Sequence, residues 1–398
     1  MRLAILSIHS SPMGRAGSKD TGGMSTYLRS LSSALGRKGH QVDLYTRRPN
    51  SGRERVENLE ANVRLIYPGD GLAELDKNHL YSHCPAVADS IDRFSRLEKI
   101  NYDFIYSHYW LSGISGRLLK KRWNKPHLIM FHTLARAKNE LCPGEKEPQL
   151  RLETEAELAR DCDLVVTAAE SEKRRILNYY NLSIKKTALI PCGIERSVFH
   201  PINEKCRLDS KLHKGAQASG KTILAVGRIE PVKGFELLIE AVSLLPSEDD
   251  FKVVIIGGEG SGRAPLAALK DKVFDLGLSD RVFFTGVVEH SCLPFYYNAA
   301  DITVIPSYYE SFGLVALESI ACGTPVIASP VGGVPELVGQ NNAFGCLVKG
   351  RDPVSWAAAI RKLYTKSKPI PHTALETGLT PYSWPDAAEK LELALSSL

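Results

Sequence analysis

Apolar residues along this chain fall into short unbroken runs that alternate with amphipathic stretches. In the first half the runs are Leu3–Ile8, Val42–Thr46, Phe104–Tyr106, His127–Phe131, Leu164–Thr167 and Ala188–Ile190. In the second half they are Thr222–Val226, Val253–Ile256, Val282–Phe284, Ile302–Ile305 and Pro325–Ala328. Runs without polar alternation suit parallel strands buried on both faces. Between them, Tyr27, Leu28, Leu31, Ala34 and Leu35 recur at helical spacing, with Gly39 as a stop signal. Phe235, Leu238, Ile239, Val242 and Leu245 do the same ahead of Pro246. This alternation predicts an α/β chain with two doubly wound parallel sheets. The break falls between Pro191 and Lys221, a polar, lysine-rich segment without strand periodicity. Ligands of such sheets bind beyond the carboxyl ends of the strands, so chemistry is sought just after each run.

Composition narrows the partners. A chain of 398 residues, 43% hydrophobic and 24% charged, supplies two full cores. A net charge of +5 favours anionic small molecules over nucleic acid, which would call for a dense basic stripe. No apolar run approaches the roughly 20 residues of a membrane span. Met1–Ser7 reads as a first buried strand and is too short for a signal peptide. The eight cysteines, Cys84, Cys142, Cys162, Cys192, Cys206, Cys292, Cys322 and Cys346, include no CxxC pair. They are expected to be reduced thiols of a cytoplasmic protein, with neither a disulfide framework nor a metal site. In that setting the sequon Asn181-Leu182-Ser183 is accidental.

The strongest chemical pattern lies in Pro306–Glu318, after a predicted strand and into a helix. Gly313 sits where that helix should begin. Its N–H and those of Leu314 and Val315 would point into a cleft and bind anions without a basic side chain. Glu310 precedes the helix and Glu318 lies about 7.5 Å along it, so two carboxylates can reach different hydroxyls of one ligand. Arg228 follows the first strand of this half, and Lys233 precedes its first helix. Two cations there can neutralise a diphosphate leaving group. Gly257-Gly258-Glu259-Gly260 permits a close backbone approach, a weaker signal.

In the first half, Gly22 and Gly23 end a long loop and can present N–H groups to a phosphate. His132 and Thr133 close one strand, and Tyr109 lies just past another. Lys77 and Arg151, taken alone, read as surface charges.

These residues resemble the retaining family 4 glycosyltransferases. Glu310 and Glu318 bracket seven residues, as in that family's E-x7-E motif, and Arg228 and Lys233 match its GR…KG pair. Cys322–Ala328 and Gly332-Gly333-Val334-Pro335-Glu336 are also similar to it. The resemblance implies the GT-B fold, two Rossmann-like domains facing a cleft. Residues 1–200 would bind the acceptor and 201–381 a UDP-sugar donor, with a final helix over 382–398 returning to the first domain. It assigns Arg228 and Lys233 to the diphosphate, and Glu310 with the Phe312–Val315 backbone to the hexose. Glu318 would bind the ribose, and Gly22 and Gly23 would close on the donor. The UDP-sugar is a co-substrate and no cofactor is implied. The family is usually metal-independent, and a homodimer is left open.

Within the family the first half most resembles the inositol-phosphate glycosyltransferases. The shared stretches are the Gly-Gly-Met turn, Ser107–Gly113, and His132-Thr133-Leu134 with Lys138-Asn139. Carried over by position, Lys77, Tyr109, Thr133 and Arg151 would hold the phosphate of a phosphorylated acceptor. Two cations and two hydroxyls suit a dianion. Ser25 departs from this pattern, where those enzymes carry Asn next to the acceptor ring. Sucrose-phosphate synthases are related but carry Gln at the place of Met24. The resemblance implies retention at the anomeric carbon without a side-chain nucleophile, and His132 acts there as a geometry residue. A UDP-sugar 2-epimerase and a non-catalytic nucleotide-sugar-binding protein are the rival readings.

Overall fold

The unbroken apolar runs become strands of two parallel-rich sheets in the computed structural model. It describes residues 1–13, 22–47, 55–68, 79–142, 144, 146–202, 220–258, 265–339, 341–366 and 369–398. The first sheet contains β1 (Arg2–Ser7), β2 (Gln41–Thr46), β3 (Val56–Glu60), β4 (Val63–Ile66), β5 (Phe104–His108), β6 (His127–Met130), β7 (Leu164–Thr167) and β8 (Thr187–Leu189). Their order is β3-β4-β2-β1-β5-β6-β7-β8. The second sheet contains β9 (Lys221–Val226), β10 (Phe251–Ile256), β11 (Val282–Gly286), β12 (Ile302–Ile305), β13 (Val326–Ala328) and β14 (Gly345–Leu347). Their order is β11-β10-β9-β12-β13-β14. Helices cover both faces, so Leu3, Ala4, Ile5 and Leu6 of β1 are all fully buried, as a doubly covered strand requires.

The strand order reverses between β1 and β5 in one sheet and between β9 and β12 in the other. Such reversals open a crevice at the carboxyl ends of the strands. The residues that follow these four strands therefore line the cleft between the halves.

Three strands fall outside the apolar runs. β3 and β4 form an antiparallel ribbon with Val56 opposite Ile66, and β3 is the sheet edge. The edge strand Val56-Glu57-Asn58-Leu59-Glu60 is half-exposed, which explains its polar sequence. β14 has only three residues and starts at a glycine.

The helix Trp384–Ser396 packs on the first helix of the chain, Gly23–Arg37. Trp384 meets Tyr27 edge-on at 5.6 Å. Ser383 caps the later helix, accepting from the Asp386 N–H at 3.1 Å. The chain returns through a narrow place. A Cβ on Gly193 would lie 2.3 Å from the Trp384 nitrogen, so a side chain there displaces the backbone of the crossover.

The halves also meet at the N-terminal end of the helix Glu170–Tyr180. Ser171 Oγ donates to the Gly332 carbonyl at 2.8 Å, and the Glu170 N–H donates to Glu336 at 2.9 Å. Ser311 Oγ donates to Glu172 at 3.2 Å, and the Leu134 N–H donates to Tyr309 Oη at 3.2 Å. Glu172 is buried. Desolvation lifts its carboxyl to about 7, against the opposing hydrogen bonds from the Ala168 N–H and Ser311.

Gly193→Ala is expected to lower stability by about 1–3 kcal/mol, read as a reduced thermal midpoint. Glu172 generates a pH signature. Its folded pKa exceeds its ordinary value of 4.5, so its contribution is complete below that value and is lost as pH rises through about 7. Wild type should therefore lose on the order of 3 kcal/mol relative to Glu172→Gln between about pH 5 and 8. A stability difference that stays flat over that range in denaturant titrations rejects the assignment.

Candidate active site

Each half brings a charged group and a glycine turn to the cleft. In the second half, β9 ends at Val226 and releases Gly227-Arg228. A Cβ on Gly257 would lie 1.8 Å from the Gly227 carbonyl oxygen, so these two turns touch backbone to backbone. Arg228 Nη1 pairs with Glu230 at 2.9 Å, and its side chain is about one-third exposed. Lys233 precedes the helix Phe235–Ser243 and pairs with Glu310 Oε1 at 2.7 Å. Ser307 Oγ donates to the same oxygen at 2.8 Å. Lys233 and Glu310, separated in sequence, thus stand together beyond β9 and β12.

Gly313 has φ +101 and caps the helix Leu314–Ala321. A positive φ favours glycine there, and an added Cβ would meet Val334 at 2.5 Å. The first intrahelical bond is donated by Ala316 to the Gly313 carbonyl, so the N–H groups of Leu314 and Val315 lie ahead of the helical ladder. Phe312 is buried and packs near Tyr382, with ring centroids 5.8 Å apart. Glu318 is not a solvated helix residue. It is 5% exposed and accepts from His290 Nε2 at 2.7 Å and from Tyr297 Oη at 2.8 Å. Burial lowers the pKa of His290, but the Glu318 carboxylate outweighs this and holds it above the usual histidine value. His290 and Tyr297 had no signal in the sequence, because they come from a turn and a helix well upstream of Glu318. Glu259 and Gly260 lie outside the described residues.

In the first half, Gly22 caps the helix Gly23–Arg37 and faces Arg228, whose Nε lies 3.9 Å from the Cβ position of Gly22. The Cβ position of Gly23 lies 3.1 Å from Leu314 Cδ1. The turn is therefore seated against the donor-side helix. Ser25 is fully buried, and its hydroxyl donates to the Ser11 carbonyl at 2.9 Å and lies 3.3 Å from Ser10 Oγ. It holds the loop after β1.

Tyr109 and His132 directly follow β5 and the β6 segment, with φ +75 and +60. Left-handed backbone at non-glycine residues is strained and concentrates at functional sites. His132 Nε2 lies 2.8 Å from His108 Nδ1, so one ring donates and the other accepts. Burial pushes His132 down to about 3. Burial, then the neighbouring His132 and His9, hold His108 well below the ordinary value. Both imidazoles are neutral at pH 7, which removes His132 as a cationic acid.

Arg151 corrects the surface-charge reading, being 2% exposed. Its Nε donates to Glu155 at 2.7 Å, and Nη2 donates to both the carbonyl and the hydroxyl of Thr133 at 2.9 Å. Nη1 pairs with Glu147 at 2.9 Å. The guanidinium carbon lies 4.7 Å from the Tyr109 ring centre. Tyr109, Thr133 and Arg151 thus form one cluster at the ends of β5 and β6. Lys77 lies outside the described residues. The carboxylates Glu147 and Glu155 were missed, although they stand four residues either side of Arg151, the spacing that pairs charges on a helix. Among the described residues no group of three His, Cys, Asp or Glu side chains could hold a metal ion.

Comparison with known proteins agrees with this layout. Residues 21–198 match the family described as Glycosyltransferase Family 4, and residues 210–374 match Glycosyl transferases group 1. The D-inositol 3-phosphate glycosyltransferase of Corynebacterium diphtheriae is 35% identical over 98% of this chain and 93% of its own length. That of Corynebacterium jeikeium is 37% identical over 91% of this chain and 88% of its own. Among solved structures, sucrose-phosphate synthase from Thermosynechococcus elongatus superposes with a TM-score of 0.89 at 29% identity, covering 100% of this chain and 98% of that one. The Anabaena protein HepE, solved with UDP and glucose, shares the fold at a TM-score of 0.77 and 18% identity, with both chains covered fully. With its two Rossmann-like halves, its E-x7-E turn and relatives alike along nearly its whole length, the chain belongs to the family 4 glycosyltransferases, which are retaining hexosyltransferases of the GT-B fold.

Proposed function

We propose that the protein transfers a hexosyl unit, glucose or N-acetylglucosamine, from a UDP-sugar to a phosphorylated polyol of the inositol phosphate kind. The observation that carries the acceptor reading is the buried Arg151, bonded to Thr133 and stacked on Tyr109 across the cleft from Lys233 and Glu310. A buried guanidinium at a strand-end crevice is an anion receptor held in a fixed orientation. The names of the relatives at 35–37% identity support inositol phosphate as the acceptor. The reduced thiols expected from the sequence suit a cytoplasmic setting, and among the described residues no helix is long and apolar enough to cross a membrane.

In this reading the donor lies along the second half. Glu318, held by His290 and Tyr297, accepts from the ribose. Arg228 and Lys233 draw the diphosphate to the turn after β9. Glu310 and the N–H groups at the start of the helix Leu314–Ala321 hold the hexose. Bond cleavage leaves negative charge on the diphosphate, and the two cations stabilise it where it forms. The leaving phosphate helps deprotonate the incoming hydroxyl on the same face of the sugar, which gives retention. His132, kept neutral by burial, orients the hexose and transfers no proton. Gly22 and Gly23 close over the donor from the first half. Ser25 acts on the acceptor through the Ser10–Ser11 loop that it holds.

The likeness to sucrose-phosphate synthase favours a second reading, transfer to fructose 6-phosphate. A screen of inositol 1- and 3-phosphate, fructose 6-phosphate and their unphosphorylated forms, with UDP-glucose and UDP-N-acetylglucosamine, decides between them. Phosphorylated acceptors should be preferred by about 10²–10³ in kcat/KM, because a neutral acceptor forgoes the charge-assisted hydrogen bonds that a phosphate makes to a guanidinium. Equal turnover of unphosphorylated acceptors rejects the acceptor pocket. Conversion of the UDP-sugar alone would instead indicate the epimerase. Arg228→Ala and Lys233→Ala should each lower kcat/KM by about 10²–10³. Turnover near wild type in both variants removes the diphosphate role.

A further inference from the structure

Arg151 is surrounded by partners of two kinds. Glu155 is fully buried and also accepts from the Ala135 N–H at 2.9 Å and from Tyr180 Oη at 3.0 Å, so it is fixed. The Thr133 carbonyl and hydroxyl belong to the end of the β6 segment and are equally fixed. Glu147 differs. It lies on the connection ahead of the helix Gln149–Asp161, and its side chain is 16% exposed. One of its oxygens meets Arg151 Nη1 at 2.9 Å, and the other accepts from Lys138 Nζ at 2.6 Å. A single carboxylate thus bridges two cations through two oxygens, as a phosphate would.

The backbone of Glu147 is held independently, its N–H donating to Asn139 Oδ1 at 2.7 Å. Only the side chain need move. It borders an open pocket of about 570 Å³, lined also by Asn139, Lys146 and Gln149, so there is solvated space to turn into. The charges set the direction of exchange. Lys138, Arg151, Glu147 and Glu155 sum to zero, and a dianion added to that set would stand beside two carboxylates. Turning Glu147 out removes one of the carboxylates that the dianion would otherwise stand beside.

We infer that Glu147 is a specificity-determining residue whose carboxylate bridges Lys138 and Arg151 in the place of the acceptor's phosphate and is displaced by it. The inference rests on Arg151 being the acceptor-phosphate receptor. It gives the site a way to keep a buried guanidinium and to discriminate against neutral sugars. A hydroxyl cannot displace a carboxylate bonded to two cations, whereas a phosphate dianion replaces both of its contacts.

The test is calorimetric titration of the full chain with inorganic phosphate in saturating UDP, which covers the cations of the donor side. Glu147→Gln should bind phosphate at least about tenfold tighter than wild type, because the competing charge is gone. Glu147→Ala should change in the same direction, and Lys138→Met should bind more weakly than wild type. Phosphate affinity in both Glu147 variants equal to or below that of wild type overturns the inference and makes Glu147 a support for Arg151. Arg151→Met separates the two levels. If it abolishes phosphate binding while Glu147→Gln fails to tighten it, only the displacement fails. If Arg151→Met binds phosphate and uses phosphorylated acceptors as wild type does, the acceptor reading falls, and this inference with it.

Discussion

The cleft depends on a contact between backbones. A Cβ on Gly332 would stand 2.5 Å from the Glu310 carbonyl oxygen and 2.7 Å from that of Ser311, and one on Gly333 would stand 2.7 Å from that of Phe312. Only a glycine pair lets the two turns approach this closely, and Gly332 also has φ +58. This contact sets the height of the turn that carries Glu310, Phe312 and Gly313. The Lys233–Glu310 pair and the start of the helix bearing Glu318 follow from that position. The Gly332 carbonyl also receives Ser171 from the other half, so the same glycine fixes the donor turn and joins the halves.

Charge balance is the second common feature. The cations of the cleft do not wait unpaired in a low-dielectric site. Lys233 has Glu310, Arg228 has Glu230, and Arg151 has Glu147 and Glu155. An uncompensated buried charge is costly, so each cation carries a resident partner that a substrate anion can join or replace. The central imidazoles, His108 and His132, take the other course and remain uncharged.

Most of the architecture was legible in the apolar runs, because a parallel strand covered on both faces is mainly apolar, and its few polar residues, such as Asp43 and His127, are buried with partners. Val56–Glu60 escaped because an edge strand packs on little and tolerates Glu57, Asn58 and Glu60. In the site, the spacing of Glu310 and Glu318 around a glycine was visible because it is local. The partners of Glu318 were not, since His290 and Tyr297 reach it only through the packing of separate elements. Arg151 misled as a single residue. Its environment is written in Glu147 and Glu155 at four residues either side, but that pattern equally describes an exposed helix. Burial decides between the two, and burial depends on the Tyr109 turn and the end of the β6 segment, far away in the chain. Glu172 was invisible for the same reason. An ionisable residue near a helix start looks ordinary until a second half closes over it.

The returning helix has a consequence for how the polypeptide is made. Residues 384–396 complete the surface of the first half, yet they emerge from the ribosome after the whole second sheet. Until then Tyr27, on the first helix, lacks the ring of Trp384, and the neighbouring apolar positions lack Ala388 and Leu391. The first half must therefore persist for some 180 residues of synthesis, roughly ten to forty seconds at ordinary elongation rates, with an apolar seam open to water. The helix Trp384–Ser396 acts as the clasp that ends the exposure.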